Sequence, residues 1–387
     1  MLVRRIIIGI LAAALLAVGI PIAQGAELEI AAPSAILMDA ATGTVLFEKN
    51  ANERLAPASV TKVMTLLLVM EALEKGQISM EDSVIASDAA ARKGGSQVYF
   101  EPGEQMSMDE MLKSVVVSSA NDCATALAEH IAGSEAAFVE LMNQRAAELG
   151  MSDTHFVNCT GLDDEPDAAE HLTTAHDIAI MSRQLLMHER IRDYTTIWMD
   201  TVRNGEFGLS NTNKLVRFYE GTTGLKTGYT SSAGHCLAAS AKRDGMELIA
   251  VVMHCGSSQD RFESAKAMLN YGFANYALVS PEPLELLPAV EIKLGKEAAL
   301  TPVLQASAPI LIQKSELARV SKTVSLPEAV EAPIAAGDQL GMMTIAAGEK
   351  VLAEIPIIAP KSVERLSLWD LTVRLLRAIC MAGEEEG

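Results

Sequence analysis

Aromatic side chains are scarce: two tryptophans, six tyrosines and eight phenylalanines in 387 positions. A core built from this chain must be aliphatic, with the 19 methionines filling gaps that rings would otherwise take. Basic residues are outnumbered, 31 against 50 acidic ones, for a formal net charge of −19. That balance argues against a nucleic-acid partner, because a phosphate backbone demands a basic face. Cysteine is sparse and odd in number: Cys123, Cys159, Cys236, Cys255 and Cys380. Such a set is no disulfide framework, and buried free thiols are the reading it favours. There is no Cys-x-x-Cys pair and no His-Glu-x-x-His run. Zinc sites of those kinds are therefore not expected, and no metal or organic cofactor is implied.

What is present begins with a leader. Arg4 and Arg5 precede an apolar run from Ile6 to Ile22, and Ala23-Gln24-Gly25 offers a small-residue cleavage site. This is the layout of a secretory signal over residues 1–25. An uncleaved anchor is the alternative, since the run approaches spanning length. Either reading puts the body of the protein outside the cytoplasm, at the outer face of the cytoplasmic membrane.

Apolar content of 49% supports a sizeable core. The stretch SAILMDAATGTVLFEKN, Ser34 to Asn50, reads as two strands around a Thr-Gly turn. A helix follows, apolar nearly all round from Val60 to Leu73, which marks it as central and buried, and Gly76 stops it. Further helices are expected at Met108–Val117, Asp122–Ile131, Ala136–Leu149 and Thr174–His188, with an acidic loop at Asp163–Glu170. Strands are expected around Leu225–Gly228, His235–Arg243 and Met246–His254, the last two joined by an Asp-Gly turn, then a helix at Arg261–Ala277. Strands at both ends with helices between them predict an α+β fold, one antiparallel sheet flanked by helices, over residues 26–280. The proline-rich SPEPLELLP, Ser280 to Pro288, marks a boundary. Short β-like runs then suggest a small β-sandwich domain over 281–360. Residues 361–387 carry a last helix, Ser362–Met381, with a narrow polar stripe of Ser367, Asp370, Arg374 and Arg377. Its apolar remainder, with Trp369 and the arginines, suits a membrane surface; packing against the β domain or a partner is the alternative.

The chemistry centres on PASVTKVMTL, Pro57 to Leu66. Ser59 and Lys62 lie three apart and share a helix face. A serine hydroxyl is a poor nucleophile until a base takes its proton. A lysine becomes that base when burial lowers its pKa. Taken alone, the pair reads equally as an N-cap serine beside a snorkelling lysine. Two more elements change this. Ser119-Ala120-Asn121 stands between two helices, and Lys226-Thr227-Gly228 stands on a strand. Together, in this order, they form an SxxK, SxN and KTG set. Ser59 would attack a carbonyl and Lys62 would take its proton. Ser119 would relay a proton to the leaving nitrogen, and Asn121 would hold substrate amide and Lys62. Lys226 and Thr227 would meet a carboxylate, and Gly228 would let an extended substrate approach the strand edge. The oxyanion would rest between the backbone N–H groups of Ser59 and Tyr229.

With LAPASVTKVMT, VVVSSANDCATALAEHIAGS, GLKTGYTSSAG and AKRDGMELIAVVM in view, the chain resembles the serine-type D-alanyl-D-alanine carboxypeptidases, the low-molecular-mass penicillin-binding proteins. The resemblance runs from about Ala31 to the last helix. It implies a β-lactamase/transpeptidase-like fold and removal of terminal D-Ala from peptidoglycan pentapeptides through an acyl-enzyme on Ser59. It implies β-lactams as covalent inhibitors, and it places Arg261 near the substrate carboxylate. Ala120 departs from the family's commoner Gly or Asp, where only the backbone is needed. A DD-endopeptidase of the same fold fits the motifs equally. A class A β-lactamase fits less well, because Glu165-Pro166 has no asparagine after it. A catalytically inert wall-binding scaffold would not need the intact motif set.

Overall fold

The computed structural model describes residues 28–164 and 167–382, so the leader at 1–25 and the Glu165-Pro166 pair lie outside the described residues. Strand β1 (Ser34–Asp39) and β2 (Val45–Lys49) form the first hairpin. A 3-10 turn, Ala58–Thr61, runs into helix α1 (Lys62–Glu74). Helices α2 (Met108–Val117), α3 (Asn121–Ala132), α4 (Glu135–Glu148) and α5 (Ala175–Leu186) follow. Then come β3 (Thr222–Thr230), β4 (Gly234–Arg243), β5 (Met246–Cys255) and α6 (Ser258–Asn275).

These strands make one antiparallel sheet in the order β2-β1-β5-β4-β3. Its middle strands are buried on both faces, so their centres, Ala35–Met38 and Leu248–Met253, are apolar runs without alternation. Ile36 and Met38 of β1 enter the large core with α1, α2, α3 and α5. Leu37, one residue out of phase, faces α6 on the other side, where a Cβ on Gly272 would meet Leu37 Cδ2 at 3.1 Å. Helix α1 is the hub predicted from its all-round apolar sequence: nine of its 13 residues are buried. Local chemistry sets the helix ends. Ser107 and Glu110 form a capping box for α2, Ser134 and Thr174 cap α4 and α5, and Ser257 caps α6.

Beyond α6, β6 (Tyr276–Val279) pairs with β7 (Ile310–Gln313) across the proline-rich stretch. Strands β8 (Val320–Ser325), β9 (Gln339–Ala347) and β10 (Lys350–Ile358) build a four-stranded sheet with Val303–Leu304. The two sheets share a core of Val279, Ile312, Met343, Ile345, Ile355 and Ile357, which is the expected β sandwich. A second cluster gathers Ile292, Leu300, Ala332, Ile334, Ala359 and Val363.

The last helix, α7 (Leu368–Ala382), starts six residues later than the sequence pattern suggests. The reason is Val363. It is 2% exposed in the second cluster, and it exchanges backbone hydrogen bonds with Ile334 at 2.8 and 3.0 Å. Leu366 N–H also donates to Leu294 O. Burial and pairing outweigh helix propensity here. The helix begins only where Ser367 can cap it, accepting from Asp370 N–H at 3.2 Å. Among the described residues no helix is long and apolar enough to cross a membrane. A carboxylate at position 363 would be buried without a partner. Val363→Asp is therefore expected to open the segment 360–367 to limited proteolysis while the cores under the main sheet keep their thermal midpoint; an uncut tail would contradict this packing.

Candidate active site

The turn at Pro57–Ser59 is the crowded point of the molecule. Ala58 takes a left-handed φ of +48°, costly for a residue with a Cβ. Two glycines make room for it. A Cβ on Gly161 would lie 1.9 Å from Ala58 O. One on Gly228 would lie 2.7 Å from Pro57 O and 3.1 Å from Ser59 N. Gly228 was expected to clear space for substrate; its nearest obligation is to let β3 touch the backbone of the serine turn.

Ser59, half-buried, leads into Lys62, which is fully buried. Lys62 Nζ has three oxygen partners: Ser59 Oγ at 3.0 Å, Asn121 Oδ1 at 2.5 Å and Thr160 O at 2.9 Å. An ammonium donates to all three. The amide and backbone carbonyl oxygens can only accept. A neutral amine therefore keeps those two bonds and turns its lone pair to the Ser59 hydroxyl. Burial lowers the Lys62 pKa from 10.5 to about 7, against the pull of the Asp122 carboxylate. At 1.36 kcal/mol per tenfold, that change favours the neutral form by roughly 5 kcal/mol.

Asn121 is the first residue of α3, and both ends of its amide are engaged. Its Oδ1 accepts from Lys62 and its Nδ2 donates to Gly94 O at 2.7 Å. Ser119 occupies the turn before it at φ +65°, 4% exposed, with no hydrogen bond to Ser59 or Lys62. Asp122, next along, accepts from the N–H groups of Val98 and Phe100, so the 94–100 loop is pinned to the start of α3.

Strand β3 ends the sheet, so its outer edge has no partner strand. Its first half is nevertheless covered: Thr195 Oγ1 donates to Thr223 O, and Asn213 Nδ2 to Gly224 O. The second half, from Lys226 on, borders the serine turn. Lys226 is 1% exposed and donates to Thr227 O at 3.0 Å. Burial, then the nearby charges of Lys62 and Arg261, push its pKa well below the usual lysine range. Thr227 Oγ1 donates to Thr212 Oγ1 at 2.7 Å. Tyr229 directs its ring outward, 59% exposed, stacked on His235 at 4.4 Å. Arg261 was expected beside a substrate carboxylate. Its guanidinium instead donates from one nitrogen to Gly228 O at 3.0 Å and Cys236 O at 3.3 Å, tying α6 to β3 and β4. The four cysteines whose side chains are described are buried and free.

Several contributors were invisible in the sequence pattern. Thr160 acts through a carbonyl, which every residue has. Asn158 shapes its loop, with Oδ1 accepting from Gly161 N–H at 2.7 Å and Thr160 N–H at 3.1 Å. The Asn-x-x-Gly spacing was the available turn signal. Thr61 donates to Ala58 O at 2.8 Å and therefore accepts from His171 Nε2–H. His171 Nδ1 in turn accepts from Val157 N–H. That network makes His171 the neutral Nε2–H tautomer, and burial lowers its pKa to about 4.

Comparison with known proteins identifies the family. The D-alanyl-D-alanine carboxypeptidase family model matches residues 22–257. The chain belongs to that family. The C-terminal domain of penicillin-binding protein 5 matches residues 287–365. The D-alanyl-D-alanine carboxypeptidase DacF of Bacillus subtilis (strain 168) is 42% identical over 347 residues, 88% of this chain and 87% of its own. Penicillin binding protein 5 from Haemophilus influenzae superposes with a TM-score of 0.70 at 30% identity, covering 87% of this chain and 98% of that one. Penicillin-Binding Protein D2 from Listeria monocytogenes, in an ampicillin-bound form, gives 0.58 at 30% identity over 64% of this chain and 99% of its own.

Gly161→Ala would drive a Cβ into Ala58 O and displace Ser59. A displacement near 1 Å at a reacting group costs about 100-fold in rate, and that loss is expected in benzylpenicillin acylation followed by stopped-flow. Gly150→Ala is the control: its φ is also positive, at +75°, but nothing lies within 4 Å of the added carbon.

Proposed function

We infer that this family member is an exported serine-type D-Ala-D-Ala carboxypeptidase that trims peptidoglycan stem pentapeptides. The observation that carries the reading is the buried Lys62 amine, whose one free lone pair is directed at Ser59 Oγ. Ser59 Oγ attacks the carbonyl of the penultimate D-Ala, and its proton passes to Lys62 Nζ. The oxyanion forms between the N–H groups of Ser59 and Tyr229. As the tetrahedral carbon collapses, the C–N bond breaks, and a proton relayed through Ser119 leaves with the terminal D-Ala as its amine. Water then attacks the Ser59 ester, Lys62 again takes a proton, and the shortened peptide departs.

The Arg261 guanidinium and the Lys226 side chain lie beside the serine turn in an otherwise acidic chain, which supports recognition of the terminal carboxylate. Among the described residues Lys226 makes one hydrogen bond, to Thr227 O, so an incoming carboxylate finds N–H left to donate. Arg261 acts as a positioning residue through the Gly228 carbonyl. A β-lactam presents the same carbonyl and carboxylate, which extends to this chain the ampicillin binding of the Listeria protein. Catalysis belongs to the part through α6. The β domain runs from β6 to Leu366, and α7 lies on the outer membrane surface. Exposure of Leu368, Trp369 and Leu376 supports that last assignment.

Peptide mapping of the benzylpenicillin adduct is expected to find the label on Ser59, and a label elsewhere would overturn the mechanism. Below pH 7 Lys62 is protonated and cannot accept a proton. The acylation rate constant should therefore rise with pH through about 7. Lys62→Arg, with a guanidinium that stays charged, should lose about 10²- to 10⁴-fold. Chromatography of a pentapeptide muropeptide digest should show free D-Ala; cleavage of cross-linked dimers without free D-Ala would favour an endopeptidase. A chain ending at Ser367 should no longer sediment with anionic vesicles, whereas unchanged sedimentation would remove α7 as the anchor.

A further inference from the structure

An oxyanion hole works through the direction of its N–H groups, and two such groups belong to this site, those of Ser59 and Tyr229. In a trans peptide the N–H points away from the C=O of the residue before it. Whatever grips that carbonyl therefore aims the donor on the far side. The carbonyls concerned are Ala58 O and Gly228 O, and both are gripped.

Gly228 O accepts from the Arg261 guanidinium at 3.0 Å. Ala58 O is held by a longer row of groups. Thr61 Oγ1 donates to it at 2.8 Å, His171 Nε2 stands 2.8 Å from that hydroxyl, and Val157 N–H donates to His171 Nδ1 at 3.2 Å. With its proton given to Ala58 O, the Thr61 hydroxyl accepts from His171. Every proton in the row then points the same way, from Val157 through His171 and Thr61 to the Ala58 carbonyl. Hydrogen bonds aligned in this manner polarise one another, and a carbonyl that accepts strengthens the N–H across its peptide. The last donor in the row is Ser59 N–H, which bonds to nothing among the described residues.

The row has little room to move. Thr61 is fully buried and His171 is 3% exposed, its ring edge to face with Phe156 at 5.6 Å. Gly161 closes on the same pair: a Cβ there would lie 1.9 Å from Ala58 O and 2.7 Å from Thr61 Oγ1. At the other end of the peptide unit β3 arrives, with a Cβ on Gly228 placed 3.1 Å from Ser59 N. Ala58 itself, at φ +48°, keeps its conformation only under such restraint.

We propose that His171 and Thr61 are positioning residues of the acylation step: from behind the serine turn they aim and polarise the Ser59 amide that receives the oxyanion. The inference rests on the peptidase reading, which supplies that oxyanion. It gives the buried histidine a task other than proton transfer. His171 meets no substrate, and its effect reaches the reacting carbonyl through Thr61 and the Ala58–Ser59 peptide.

The test uses the full chain and two substitutions that lack the threonine methyl equally. Thr61→Ala has no hydroxyl, whereas Thr61→Ser keeps it. Each is acylated with benzylpenicillin isotopically labelled at the β-lactam carbonyl, and the ester band is followed by infrared difference spectroscopy. A well-aimed hole draws electrons toward the carbonyl oxygen and lowers that band. In Thr61→Ala the band should rise toward its position in the unfolded adduct. The acylation rate constant should fall about tenfold, less than the loss of a whole donor, with the affinity of the preceding noncovalent complex retained. Thr61→Ser, the conservative rescue, should recover the parental band and rate. His171→Phe leaves Thr61 its hydroxyl but removes the N–H behind it, and should shift the band the same way by less. A parental band in Thr61→Ala, or a Thr61→Ser that behaves like Thr61→Ala, would overturn the proposal. The nitrogen resonance of the Ser59 amide, recorded on unreacted protein, reads the row without any acylation. It should move in Thr61→Ala and return in Thr61→Ser; a resonance that stays put in Thr61→Ala counts against the row. An adduct formed elsewhere than on Ser59 faults the peptidase reading, and the nitrogen resonance then decides the row by itself.

Discussion

Everything in the catalytic half answers to one constraint: an amine must be kept away from water yet be fully partnered. Lys62 sits in the middle of the apolar core with 0% exposure. Its three oxygen partners come from three separate stretches: the serine turn, the start of α3 and the Asn158–Gly161 loop. None of these could shift alone without stranding a buried donor, which is costly. The dependence spreads outward. Thr65 Oγ1 holds the loop through Cys159 O at 2.6 Å, and His171 props the turn through Thr61. The catalytic geometry and the packing of the hub helix are one problem with one solution.

The site lies beside the edge strand of the sheet. A cavity of about 400 Å³ does exist, but it lies at the other end of α1 among Met70, Leu73, Glu74 and His188. Twelve residues of helix put it about 18 Å from Lys62. An extended peptide needs an edge more than a volume, because main-chain pairing supplies much of its binding. The covering of Thr223 and Gly224 by Thr195 and Asn213 limits where such pairing can occur.

Most of the fold was legible because its signals are local. The all-round apolar run of α1, the Asp-Gly turn before β5 and the capping residues each announce an element within a few positions. The side chains of the Lys62 cluster were legible for a related reason: the hydroxyl, amine and amide that meet there belong to Ser59, Lys62 and Asn121 and to few other residue types. What stayed hidden acts through the main chain or through distance in sequence. Thr160 contributes a carbonyl. Gly228 reads as a substrate clearance until the backbone of Pro57 is seen against it. Arg261 falls where a carboxylate ligand was expected, but its bonds run to two strand carbonyls. The segment before α7 has a helical pattern, yet burial of Val363 in a distant cluster draws it into a β bridge.

The meeting of Ala58, Gly161 and Gly228 has a consequence for how this enzyme could change under drug pressure. Three stretches of main chain touch there, and two of the three residues have no side chain to exchange. An inhibitor that copies the substrate at this junction leaves the gene little to vary: enlarging either glycine breaks the serine turn, and no smaller residue exists. At this junction a side chain that would block the inhibitor would also collide with the turn that carries Ser59.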